Sequence, residues 1–256
     1  MNAGGGAYYG AFAACSLGEK TVVLTKVAKK DRWLFEDLES FGVEVVFLDT
    51  ENSTSIENFY PTSNPDDRKS RLVSRADPFQ ESDLQLVKEE KVHVTPLWYG
   101  EFPENLVPKL REKVSILSGD AQGFLRHVEK GEMVYRDWEK KKEYLPMFDV
   151  FKVDIKEAEV LTGEKEPESA IKKLGFMGGG EILMTMSNGI FLYREGRIFF
   201  APFGEWKMEG RTGRGDTAAA AYLVLRDRIE NPQDLVKRVA EITTKKMQRP
   251  GPYRGW

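Results

Sequence analysis

From residue 21 to residue 201 the chain alternates β-branched runs with stretches of helical periodicity, and that alternation leaves few folds open. Residues 21–27 read as a strand, 31–40 as a helix and 43–48 as a second strand. Helices 81–90 and 104–112 then alternate with strands 91–95 and 114–117. Strand 150–153, helices 156–162 and 168–174, and strands 181–185, 190–193 and 197–201 follow, and two helices at 216–228 and 232–247 close the chain. Strands separated by helices of this length must return in the same direction, so the reading is an α/β protein whose mostly parallel sheet is covered on both faces. Ligands of such sheets collect beyond the carboxyl ends of the strands, which is where the loops holding Asp120, Asp154 and Ser187 should fall. Ahead of this pattern, Gly4-Gly5-Gly6 opens a small, apolar helix at 7–17 that stops at Gly18.

The alternation is interrupted once. Between residues 54 and 74 two strand-like stretches flank the polar loop 61–69, which reads as a hairpin projecting from the main domain. At 256 residues, with 41% apolar side chains, one large domain with such an appendage is the expected organisation. A net charge of -3 argues against a dedicated nucleic-acid binder. The single cysteine, Cys15, excludes an intrachain disulfide and any multi-cysteine metal site. His93 and His127 are far apart and fit no ligand or triad spacing, so structural roles are expected for both. No apolar run reaches 18 residues and no signal-peptide pattern appears, so the expectation is a cytoplasmic protein without membrane partners.

The stretch Gly210-Arg211-Thr212-Gly213-Arg214-Gly215-Asp216 runs straight into an alanine-rich helix. Its three glycines permit positive φ and close approach to a ligand, and the helix start behind them offers unpaired N–H groups and a partial positive charge. That combination suits a phosphate. Asp216 is the one acid in the turn. It reads either as a base that takes a proton from a substrate hydroxyl or as an N-cap.

Four segments in this order resemble the PfkB carbohydrate kinases of the ribokinase-like superfamily: Gly4-Gly5 with Leu17-Gly18, Lys152-Val153-Asp154-Ile155-Lys156-Glu157 running on to Thr162-Gly163, Thr185-Met186-Ser187-Asn188-Gly189, and Thr212-Gly213-Arg214-Gly215-Asp216. Glu57-Asn58, Trp98-Tyr99-Gly100-Glu101-Phe102-Pro103 and Asp120-Ala121-Gln122-Gly123-Phe124 are similar to a thermophile PfkB-like subgroup close to the inositol kinases. The resemblance implies a three-layer α/β/α ribokinase-like domain over residues 1–256, with the hairpin at 54–76 as a lid inserted within it. It implies a kinase that transfers the γ-phosphate of ATP to a hydroxyl of a sugar, sugar derivative or cyclitol. A non-catalytic nucleotide- or polyol-binding protein that keeps the fold is the alternative.

By the same resemblance Asp216 matches the catalytic base, and Gly213, Arg214 and Gly215 match the anion hole. Asp154 and Glu157 match an Asn-x-x-Glu element in which the acid organises Mg²⁺ through water. Thr185, Ser187 and Gly189 match a turn that contacts nucleotide phosphates and ribose, and Ala240 and Thr243 match the wall of an adenine site. Gly5, Tyr8, Asn58 and Gln122 are the candidates for the sugar or cyclitol, and the lid leaves a homodimer open. Arg214 stands where the family usually has Ala, Asp154 where it has Asn, Gly210 where many members have an acid, and Tyr9 where many have Asn. Members also carry a strand ahead of the Gly-Gly turn, with an Asp near its end, and that strand is expected to be missing here.

Overall fold

The computed structural model describes residues 2–59, 69–205, 207 and 210–256. Helix α1 (Gly5–Ser16) is the first element, followed by strand β1 (Val22–Lys26), helix α2 (Glu36–Ser40) and strand β2 (Glu44–Leu48). Strands β1 and β2 pair in parallel as a two-stranded sheet of their own. Between β1 and α2 the expected helix is replaced at its start by a 3-10 stretch, Lys29–Phe35, that buries no residue. The same happens at Glu81–Leu86, where only Leu84 is buried. Too narrow an apolar stripe leaves nothing to offset the cost of an α-helical nucleus.

Strands β3 (Ser55–Phe59) and β4 (Lys69–Ser74) form the expected hairpin, whose tip lies outside the described residues. The chain then builds β5 (Lys91–Val94), α3 (Val107–Arg111), β6 (Ile116–Asp120) and the short helix α4 (Gln122–Leu125). Two strands absent from the sequence expectation come next, β7 (Arg126–Glu129) and β8 (Glu132–Tyr135). They turn at Lys130 and Gly131, with φ of 51° and 84°, the two-residue geometry that matches strand twist in a hairpin. Strand β8 pairs with β4, so the hairpin expected as a lid is part of a four-stranded sheet in the order β3-β4-β8-β7.

After α5 (Lys141–Tyr144) come β9 (Val150–Asp154), α6 (Ile155–Thr162), α7 (Pro167–Phe176), β10 (Glu181–Thr185), β11 (Gly189–Arg194) and β12 (Arg197–Pro202). The terminal helices are α8 (Arg214–Leu225) and α9 (Pro232–Met247). Strands β5, β6, β9 and β10 run parallel and β11 and β12 extend the sheet antiparallel, in the order β12-β11-β10-β9-β6-β5. Apolar side chains from alternate positions feed two cores, one under α6 and α7 with Phe151 and Val153, the other under α8 and α9 with Val150 and Leu183. This is the three-layer α/β/α arrangement expected from the sequence.

Alternation along the strands also puts His93, Ser118, Asp120 and Lys152 on the face opposite Val92, Leu117, Phe151 and Val153. Strands of a sheet buried on both faces are normally apolar throughout, so this polar stripe marks the region around α8 as something other than core. Among the described residues no helix is long and apolar enough to cross a membrane.

Candidate active site

The parallel strands end together. Asp120 closes β6, Asp154 closes β9 and Thr185 closes β10, with Asp120 in register with Lys152 and Asp154 in register with Thr185. Helix α8 begins above these ends. Its N-cap, Gly213, sits at φ 84° and offers no side-chain cap, and Asp216 is the acid of its first turn. The Arg214 amide donates to the Arg211 carbonyl at 3.1 Å, and the remaining N–H groups of that turn are suited to an anion. Gly10 of α1 and Ala220 of α8 let the two helices approach closely: a Cβ at Gly10 would lie 3.7 Å from both the Ala220 methyl group and the Asp216 carbonyl.

Lys152 reaches this turn from the sheet. A Cβ built on Gly215 would stand 3.0 Å from its Nζ and 3.8 Å from Thr185 Oγ1, so the ammonium group lies directly beneath the first turn of α8. Lys152 is 4% exposed and sits 3.2 Å from Asp120 Oδ2 and 3.6 Å from Glu157 Oε2. Burial opposes its charge, but Asp120, Glu157, Asp154 and Asp216 together hold it protonated, well above the usual lysine range. Asp120 accepts the Gln122 amide at 3.2 Å, and Gln122 Nε2 donates to Thr95 Oγ1 at 3.4 Å. Thr95 in turn packs on Gly6, where a Cβ would fall 1.8 Å from its hydroxyl oxygen. A continuous polar path thus runs from the Gly4-Gly5-Gly6 turn through Thr95, Gln122, Asp120 and Lys152 to the anion site.

Asp154 and Glu157 form a reciprocal capping box at the start of α6, each carboxylate accepting the other's backbone N–H at 2.8 Å. Glu157 is fully buried and also meets Arg126 at 3.1 Å. Burial pushes its carboxyl above the usual carboxylate range, aided by Asp154 and opposed by Lys152 and Arg126. Among the described residues no group of three ligating side chains is arranged to hold a metal ion. Asp154 is only half-buried and keeps an oxygen beyond its cap, so it fits a metal held through water; Glu157, enclosed by two cations and a backbone amide, stands behind it.

Several expected site residues lie elsewhere. Tyr8 donates to Asp37 Oδ2 at 2.6 Å and packs against Tyr9, Phe12 and Phe35 under α1, with one edge lining a cavity of about 530 Å³ beside Tyr9 and Asp37. Ala240 and Thr243 are 1% and 0% exposed, and the Thr243 hydroxyl donates to the Val239 carbonyl one turn back. Both belong to the core of α9 and present no surface to an adenine ring. Gly189 is buried against β12, where a Cβ would stand 2.4 Å from the Ala201 carbonyl oxygen, while Ser187 is exposed beyond β10. Gly5 takes φ 82° at the start of α1, and Asn58 on the lid accepts a 2.6 Å hydrogen bond from Ser70. The Arg214 guanidinium lies 6.0 Å from the Phe203 ring centroid, a cation–π contact.

Three cationic residues at the site were given no role in the sequence reading: Lys152, Arg126 and Lys246. The signal for Lys152 was present, as a charged residue inside an otherwise apolar strand. Lys246 donates to the Gly210 carbonyl at 2.6 Å and lies over the Tyr9 ring. Nothing in the helical pattern of 232–247 distinguishes it from its neighbour Lys245.

Comparison with solved structures finds a sulfate complex of a pyrophosphate-dependent kinase in the ribokinase family, 47% identical, with a TM-score of 0.92 over 96% of this chain and 88% of that one. A pyrophosphate-dependent kinase of the same family complexed with a pyrophosphate analog and myo-inositol is 46% identical, with a TM-score of 0.91 over 96% and 87% of the two chains. The ribokinase of Arabidopsis thaliana with ribose and ATP shares the fold at 17% identity, with a TM-score of 0.71 over 95% and 81%. No protein-family model and no curated protein matches the chain.

Proposed function

The chain belongs to the ribokinase family, and we propose that it transfers a phosphoryl group from inorganic pyrophosphate to a hydroxyl of a cyclitol such as myo-inositol. The observation that carries this reading is the first turn of α8, with Asp216 inside it and the Lys152 ammonium beneath it. Two features favour pyrophosphate over ATP. Relatives 47% and 46% identical are pyrophosphate-dependent kinases, and the residues expected to wall an adenine, Ala240 and Thr243, are buried in the core.

In this reading the acceptor is held by the Gly5 turn and Gln122 and is covered by the lid with Asn58. The acceptor oxygen attacks the terminal phosphorus of the donor, its proton passes to the Asp216 carboxylate, and the bond from that phosphorus to the bridging oxygen breaks. Orthophosphate leaves with the electron pair. The amides of Gly213 and Gly215 and the Lys152 ammonium face the charge that grows on the transferred group, where preorganised donors contribute most, while the Arg214 amide donates to the Arg211 carbonyl at 3.1 Å and holds the turn. Arg214 is suited to a second phosphate oxygen, Thr185 and Ser187 to the leaving phosphate. A Mg²⁺ ion would be held largely by the donor's own oxygens, with Asp154 as the nearest carboxylate acting through water and Glu157 fixing its orientation; it would neutralise donor charge.

The test pairs pyrophosphate and ATP with a panel of cyclitols and sugars and follows the phosphorylated product. Turnover of myo-inositol or a related cyclitol with pyrophosphate and little with ATP is the expected result; turnover with ATP alone overturns the donor assignment. Asp216→Asn is expected to lower kcat by a factor on the order of 10²–10⁴ while leaving the melting temperature near the parent value, because shape is kept and the proton acceptor is lost. Ligand binding without turnover across the panel would instead indicate a binding protein on a kinase fold.

A further inference from the structure

The turn that carries the base is held from both sides. Gly213 lies flat on the Tyr9 ring, where a Cβ would stand 2.3 Å from a ring carbon, and Gly210 lies flat on the last turn of α9, where a Cβ would stand 2.0 Å from the Met247 carbonyl oxygen. The Lys207 amide donates to that same carbonyl at 3.2 Å. Lys246 joins the two sides. Its Nζ donates to the Gly210 carbonyl at 2.6 Å and sits 5.5 Å from the Tyr9 ring centroid. The residue is 1% exposed, and its hydrogen bond goes to a carbonyl rather than to a carboxylate.

Among the described residues no acid bonds it directly, and a buried ammonium so placed is expensive to fold around, where an apolar side chain of the same length would pack at lower cost. Its surroundings show what the charge does. The π-face of Tyr9 and the Gly210 carbonyl dipole both point negative potential at it, and the Asp216 carboxylate acts on it and on Tyr9 through space. The cation therefore sits between the loop that enters α8 and the two helices that bracket it. Burial draws Lys246 down to about 8, with Asp216 opposing the shift, so it is still charged at neutral pH.

We propose that Lys246 is a positioning residue whose ammonium serves as a tethered monovalent cation, clamping the turn at 210–213 between Tyr9 and α9 and offsetting the charge of Asp216. The proposal rests on Asp216 being the base. It assigns to a side chain the work that a free ammonium-sized ion would do in the same place, and that equivalence makes it testable. Shortening the side chain leaves a space lined by one carbonyl and one ring face, which a small monovalent cation can enter.

Two variants and two readouts decide it. Lys246→Met keeps the volume and removes the charge; it is expected to melt at or above the parent temperature while kcat falls by on the order of tenfold to a hundredfold, the cost of a reacting group displaced by about 1 Å, with the KM of donor and acceptor little changed. Lys246→Ala is expected to recover several-fold in kcat when ammonium or potassium chloride replaces tetramethylammonium chloride at equal ionic strength. Amide hydrogen exchange across residues 210–216 should quicken in Lys246→Ala and slow again with added ammonium, a readout that needs no turnover. If the parent protein proves inactive with every donor while the exchange effect holds, the kinase reading fails and the clamp stands. A Lys246→Met protein with kcat within twofold of the parent overturns the proposal, as does a Lys246→Ala protein whose kcat and amide exchange ignore small cations.

Discussion

Lys152 and Asp120 form a buried pair of the kind that contributes little to stability, because desolvating two charges consumes most of what their attraction returns. Their presence is better explained by the anion site above them. Lys152→Met alone strands the Asp120 charge in the interior and should destabilise the fold by about 3–5 kcal/mol. Adding Asp120→Asn removes that stranded charge, so denaturant unfolding should recover most of the loss. Turnover should not recover: without the ammonium under α8, kcat is expected to stay down by roughly 10²–10³, the usual consequence of removing one donor to a developing anion. A double variant turning over within about tenfold of the parent would remove Lys152 from the donor site.

At the scale of elements, the start of α8 is the part most exposed to small changes. Gly213 combines φ 84° with the Tyr9 ring 2.3 Å from where a Cβ would be, whereas Gly196 in the β11–β12 turn has φ 77° and nothing within 4 Å. Gly196→Ala should therefore cost about 1–2 kcal/mol for the left-handed conformation alone. Gly213→Ala should cost more and also lower kcat, since the ring or the turn must move; equal melting temperatures for the two variants would mean that Tyr9 yields freely. The glycine turn, the helix behind it and the Asp154–Glu157 pair were legible in the sequence because each is a local pattern whose meaning does not depend on distant residues. Strands β7 and β8 were not, since four residues on either side of Lys130-Gly131 form too short an alternation to stand out. The partner of the Tyr8 hydroxyl was not legible either, because Asp37 lies 29 residues away. The polar stripe was written into the alternation of three strands, but its sense appears only when those strands are laid side by side.

Over the whole molecule that stripe links the site to acid stability. His93 is bonded through Nδ1 to Ser118 Oγ at 2.9 Å, and its Nε2 is shielded from water without a hydrogen-bond partner among the described residues. Burial pulls it down from 6.5 to about 4, with Asp120 opposing and Lys152 assisting. The unfolded chain therefore binds a proton below pH 6.5 that the folded chain refuses until about pH 4, so His93 favours the fold above that window and the advantage is lost as pH falls through it. Urea unfolding should show a loss of about 3 kcal/mol across that range that is absent in His93→Gln. A slope unchanged by the substitution would assign the acid sensitivity to other groups. The four-stranded sheet meets the same interior at Tyr135 of β8, whose ring packs on the core with its centroid 4.8 Å from Lys156 Nζ, and at Arg126. Arg126 is the first residue of strand β7 and also the partner of Glu157, so one side chain joins that sheet to the start of α6. If the sheet closes over an acceptor, as the proposed function has it, that closure shifts a charge beside the proposed phosphate site. Linkage makes such an arrangement reciprocal: whatever factor acceptor binding imposes on donor affinity, donor binding imposes on acceptor affinity, and the enzyme reads the two substrates as a pair.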